Sequence, residues 1–207
     1  MFISKLDVVN DALSCLGEAG LTDLQEDHAY RDMILGFLTT ELDRICAKGW
    51  WFNQEYVRLV PDANSRFIYV PTDVYSVVPI QSAGFSVTQM GRRMYDARRR
   101  TYEWSNPLPV RLTRKFDFED LPYNAAAAIR DATTVKFQGR IDADRETKAD
   151  AEKAAAYSME ELHRINLQQQ KFNMLNRPGM TQNGWLASHQ GQHYGEVNVP
   201  GPNIIML

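Results

Sequence analysis

The chain has 207 residues, enough for one domain or two small ones and for a real hydrophobic core. With 44% hydrophobic and 24% charged residues, its composition argues against global disorder. A net charge of −3 excludes a wholly basic nucleic-acid binder and leaves room for a local basic patch.

The opening "MFISKLDVVNDALSCLG" carries an aspartate and breaks its apolar runs early, which does not fit a signal peptide. Ser4 is placed to cap a helix over about Lys5 to Leu16, with Leu6, Val9, Leu13 and Leu16 at helical spacing. Gly17 and Gly20 interrupt it. A longer helix is expected from about Glu26 to Lys48, its stripe formed by Tyr30, Met33, Ile34, Phe37, Leu38, Leu42, Ile45 and Cys46. Gly49 is a good stop. Cys15 and Cys46 are the two cysteines, and they lack the spacing of a metal or redox motif. Free thiols in a protein made in a reducing cytoplasm are the expectation. No stretch approaches the roughly 20 apolar residues of a membrane span.

Beyond Gly49 the period changes. "FNQEYVRLV" alternates, "PDAN" is a turn and "SRFIYVP" alternates again, which predicts a hairpin. Pro71 opens a turn or short helix in "PTDVYSVVPIQ". "FSVTQMGRRMYD" places a glycine between two short strands, and "TYEW" and "PVRLTRKFDF" are further strand candidates. Helical signals return in "EDLPYNAAAAIRDATTVKFQG", with Asp120 as cap, Pro122 in the first turn and Gly139 at the end. A last helix is expected from about Asp142 to Gln170, striped by Thr147, Ala151, Ala154, Ala155, Met159, Leu162 and Ile165. From Lys171 onward the chain is rich in Asn, Gln, Gly and Pro.

These elements predict an α+β fold. Residues 1–49 and 118–172 form the two halves of a four-helix bundle, residues 50–117 an inserted, mostly antiparallel β-domain, and residues 173–207 an extended C-terminal interaction tail.

Three features invite a functional reading. Trp50, Trp51 and Phe52 sit where the chain leaves the helices for the sheet. Such rings suit a stacking platform, a membrane anchor or a packed joint, and the joint fits best because no basic amphipathic helix adjoins them. Arg92, Arg93, Arg98, Arg99 and Arg100, with Arg111, Arg114 and Lys115, face only Asp96 and Glu103 across residues 92–115. This cluster suits phosphates or an acidic protein face as well as it suits a solvated hairpin. In the tail, Trp185, Tyr194, Ile204, Ile205 and Met206 have no local core to enter. His189 and His193 are four residues apart, but Gly191 lies between them and no third ligand is evident, so no metal site is expected. No GxSxG, P-loop or GxGxxG occurs, and no cofactor or catalytic residue is assigned. The carboxylate pairs are Glu26 and Asp27, Glu119 and Asp120, and Asp142 and Asp144, and solvated helix caps explain most of them.

"DVVNDALSCLGEAGLTDLQEDH", "AKGWWFNQE", "YVPTDVYSV", "MYD" and "FEDLPYNAAAAI" occur in this order over about Asp7 to Asn176. The chain thereby resembles the tail tubular protein A family of short-tailed bacteriophages, the head-to-tail adaptors or gatekeepers. The resemblance implies a structural virion protein of the tail, without enzymatic activity. It implies a dodecameric ring of identical subunits beneath the portal protein that carries the tail nozzle (tail tubular protein B type). Genomic DNA would pass through the channel without sequence-specific contact. It also implies that "GWWFNQE" is a packed hinge. A second reading, from a different class, is a tail-associated glycan hydrolase acting on host surface polysaccharide. That reading requires two carboxylates facing one another across a sugar-sized groove.

Overall fold

A computed structural model describes residues 2–80, 86–141 and 144–170. Four helices and two antiparallel sheets give an α+β fold: α1 (Lys5–Ser14), α2 (Arg31–Cys46), β1 (Gln54–Leu59), β2 (Val74–Pro79), β3 (Val87–Met90), β4 (Arg93–Asp96), β5 (Leu108–Arg114), α3 (Tyr123–Arg140) and α4 (Arg145–Gln169). The expected C-terminal tail lies outside the described residues.

Ser4 caps α1 as its sequence predicts. The Asp7 amide donates to Ser4 Oγ at 3.1 Å and the Ser4 amide donates to Asp7 Oδ2 at 2.8 Å, a reciprocal capping box. The other helix starts differ from expectation. α2 begins at Arg31 and not at Glu26. The Glu26 carboxylate accepts the amides of Thr22 and Asp23, and the Arg31 guanidinium takes the carbonyl oxygens of Leu24 and Glu26. Residues 22–30 are therefore satisfied as turns. Asp120 does not cap α3. It ends a 3-10 turn at Phe118–Asp120, and Pro122 occupies the cap position, where its missing N–H costs nothing. Gly139 lies inside α3, which continues to Arg140. α4 is capped by Asp144, whose side chain accepts the Glu146 amide.

α3 touches each of the other three helices. Its small face, Ala125, Ala126 and Ala128, is buried with Leu38, Ile45, Phe118, Ile129 and Leu162 in one apolar cluster. A second cluster, around Val9, Leu13, Ile34 and Phe137, joins α1, α2 and α3. α4 is half covered: over its 25 residues only Leu162 is fully buried. Ala151, Ala155, Met159 and Ile165 of the expected stripe are partly buried, whereas Thr147 and Ala154 face solvent.

The sheet order is β1-β5-β2, with Gln54 opposite Thr113 and Leu59 opposite Leu108. The expected hairpin between residues 52–60 and 65–71 does not form. Its turn exists, since Asp62 Oδ1 accepts the amides of Asn64 and Ser65, but β1 takes its ladder from β5. Residues 66–70 instead make isolated bridges, Phe67 to Glu103 and Tyr69 to Arg93. "TYEW" likewise supplies single bridges and no strand. The alternation was real, because Ile68 and Val70 point inward, but alternation does not name the partner strand. The β3–β4 hairpin forms around Gly91 at φ +61, the positive φ that a two-residue turn demands at its first central position. Both sheets share a core of Val57, Ile68, Val70, Met94, Trp104 and Val110.

Candidate functional site

The three rings that end the α2 region occupy a joint between helices and sheet. Gly49 turns the chain at φ +79, which L side chains rarely adopt. Trp50 is then 1% exposed, and its Nε1 donates to the Ile45 carbonyl at 2.8 Å. Its ring lies 4.9 Å from the His163 ring of α4. Trp51 and Phe52 are half-buried and meet edge to face at 5.1 Å, and the Trp51 amide donates to Asn166 Oδ1 of α4. The buried residue that organises these contacts is Asn53. Its Oδ1 accepts the Trp50 amide at 2.7 Å, and its Nδ2 donates to the carbonyls of Cys46 and Arg114. One amide side chain thus ties the end of α2, the start of β1 and the end of β5. A single Asn after three rings carried no signal that marked it for this role.

Two further contacts lock the same joint. A register shift between Val74 and Ser76 sets Tyr75 outside the ladder, and its hydroxyl donates to Asp43 Oδ1 of α2 at 2.7 Å. Burial and that hydrogen bond raise the Tyr75 pKa, so the phenol stays protonated. Lys115 lies over the Tyr75 ring at 4.7 Å and 3.8 Å from Asp43. Arg114 is shared by Glu55 (2.6 Å) and Asp73. Burial works against its charge, and hydrogen bonds to the two carboxylates outweigh that, leaving its pKa above the ordinary value. Burial, then the charge of Asp43, pushes the Cys46 thiol up to about 12, so at neutral pH it is an inert apolar group.

Glu55, Asp73 and Arg114 line a cleft of ≈ 410 Å³ with Phe52 and Phe116. This is where the described residues set two carboxylates around one cleft. Both are tied to one guanidinium, which suits an electrostatic clamp between β1, β5 and the turn before β2.

The basic cluster divides. Arg114 and Lys115 belong to the joint. Arg92, Arg93, Arg98, Arg99 and Arg100 belong to the β3–β4 hairpin and the turn after it, all of them exposed. That turn is built on Asp96, only 3% exposed, whose Oδ1 accepts the amides of Arg98 and Arg99 while Arg99 Nε lies 3.8 Å from its carboxylate. Arg100 sits at φ +56. Arg93 lies over the rings of Tyr102 (4.6 Å) and Phe67 (5.3 Å). Arg92 and Arg100 have no carboxylate within 4 Å among the described residues. The tail residues Trp185, Tyr194, Ile204, Ile205 and Met206, and His189 with His193, lie outside the described residues.

The model of the tail tubular protein family matches residues 6–178. The chain belongs to the tail tubular protein family. It is also 27% identical over 173 residues to "Tail tubular protein A" of Klebsiella phage KP34, covering 82% of this chain and 90% of that protein. Membership makes it a structural component of a bacteriophage tail. Among the described residues no helix is long and apolar enough to cross a membrane.

Proposed function

We propose that this tail protein is the head-to-tail adaptor: a dodecameric ring between portal protein and tail nozzle, around the channel through which the genome passes. The observation that carries the reading is the span of the family match, residues 6–178, which takes in both the helices and the sheets. The structure supports it in two further ways. A ring needs two different faces per subunit. The exposed arginine hairpin and the acidic α1–α2 connection are two such faces, and the outer side of α4, with Tyr157 72% and Leu167 57% exposed, is a further surface open to other tail proteins. The joint at Trp50, Trp51, Phe52 and Asn53 is knitted by internal contacts and works as a packed hinge between a helical part (residues 1–49 and 118–172, acting as one bundle) and the inserted β-part (residues 50–117). Residues 173–207 serve as an interaction segment that meets portal or neighbouring subunits. The protein is made in the host cytoplasm and resides in the virion tail below the portal.

The hairpin arginines face protein. A channel lined with them would hold phosphates, since each neutralised phosphate adds salt-dependent affinity, and would brake the genome. The glycan-hydrolase reading gains little from the cleft at Arg114, because both carboxylates there are engaged by the same cation.

The test is the mass of the chain with and without portal protein. A twelve-subunit ring on the portal supports the adaptor reading. A chain that never joins portal protein, alone or with nozzle protein present, overturns it.

A further inference from the structure

The solvent side of the β3–β4 region is unusually aromatic. Along residues 67–70 the inward positions are Ile68 and Val70, and the outward ones are Phe67 and Tyr69. Along β4 the inward ones are Met94 and Asp96, and the outward ones Arg93 and Tyr95. Tyr102 completes the face: its ring lies 4.8 Å from Tyr95 and 6.2 Å from Phe67, and Phe67 lies 6.3 Å from Tyr69. Tyr69 and Met90 are each 49% exposed. A sheet that needed only to be solvated would carry polar residues at these positions. Tyrosines and an arginine lying over their rings are the composition of protein–protein hot spots, where rigid side chains lose little entropy on docking.

The charge around this face selects its occupant. Residues 92–115 hold eight basic and two acidic side chains, a surplus of +6, so against a total of −3 the rest of the chain carries −9. One long exposed acidic stretch of the described residues is the α1–α2 connection, where His28 Nε2 lies 2.8 Å from the Glu18 carboxylate. Residues 17–30 contain Glu18, Asp23, Glu26 and Asp27, all exposed, and no lysine or arginine. The connection is also fixed in shape, since the Asn10 side chain bonds both the amide (2.7 Å) and the carbonyl (3.0 Å) of Leu21. A basic aromatic face and an acidic connection on different elements of one chain are complementary between copies. Such a contact is heterologous and leaves each copy with one unused half, as a ring requires.

We infer that the Phe67–Tyr69–Arg93–Tyr95–Tyr102 face docks a second copy of this chain, through the acidic α1–α2 connection of that copy. The inference rests on the ring reading above and names the surface that closes it.

The experiment replaces Tyr69 with the photo-crosslinker p-benzoyl-phenylalanine in the full chain and assembles tails from a mixture of heavy- and light-isotope copies. After irradiation, the expected product joins position 69 of one copy to residues 17–32 of the other, in mixed-isotope pairs. Raising salt reduces it several-fold. Adding Arg92→Glu and Arg100→Glu abolishes it, and supplying neighbours that carry Asp23→Lys and Asp27→Lys restores it, which a merely structural role would not do. Cross-links to a different tail protein, to another segment of the chain, or to nothing overturn the inference. Because the cross-link and the mass on the portal are read separately, rings that form without this cross-link would sink the surface and leave the adaptor reading standing.

Discussion

The joint at Trp50–Asn53 and the hairpin at Arg92–Arg100 both lie between α2 and α3 in the chain and are built on opposite plans. At the joint the side chains are spent inward. Trp50, Asn53, Tyr75 and Arg114 each hold partners on other elements, so function and fold cannot be separated there. In the hairpin the backbone and one buried carboxylate, Asp96, hold the shape, and the arginines are left outward. A surface built in the second way can be altered without unfolding the protein, which is what an assembly contact requires.

The comparison breaks most visibly at Asn53. Asn53→Leu keeps the branched shape but leaves the Trp50 amide without its acceptor and removes a donor from the carbonyls of Cys46 and Arg114, of which Cys46 keeps the Gly49 amide, at a cost of about 2–4 kcal/mol. The denaturant midpoint should fall with an unchanged slope, and a midpoint within error of wild type would show that the joint is not held this way. Gly49→Ala should cost about 1–2 kcal/mol by the same assay, because a Cβ at φ +79 is strained and would also stand 2.6 Å from Gln54 Nε2.

A smaller effect is expected at the capping box, whose hydrogen bonds stay between Ser4 and Asp7, which makes it a control on helix stability. Hydrogen bonds from the Ser4 backbone and side chain hold Asp7 below the ordinary aspartate pKa. A group whose folded pKa is depressed stabilises above its unfolded value, about 4, and loses that contribution as pH falls through the folded one. Ser4→Ala should therefore cost about 1 kcal/mol at neutral pH, and the difference from wild type should shrink on acidification. A difference that grows toward low pH would contradict this assignment.

Much of this contrast was legible in the sequence, and its details were not. The position of the Trp50–Phe52 joint, the capped first helix and the Gly91 hairpin follow from local signals: a stop glycine, a capping serine and a turn glycine between alternating runs. The pairing of β1 with β5 joins residues as distant in sequence as Gln54 and Thr113, and no local pattern specifies it. The same holds for Asn53 and for the Glu55–Arg114–Asp73 clamp, whose members become neighbours only once that pairing exists. The arginine cluster was visible as charge, but its division between joint and hairpin required knowing which strand ends meet α2. The stripe on α4 was drawn slightly too wide, because helical spacing alone does not show that Thr147 and Ala154 meet no neighbour among the described residues.

The most direct test of the contrast is paired on one variant, Arg92→Ser with Arg100→Ser. Its denaturation midpoint should correspond to wild type within about 0.5 kcal/mol, as for surface positions without partners. Its assembly into tails in an infection-complementation assay should fail. A variant that is stable and assembles normally would contradict the claim that the hairpin is built for docking, and one that fails to assemble because it is unfolded would contradict the claim that the hairpin stands apart from the fold.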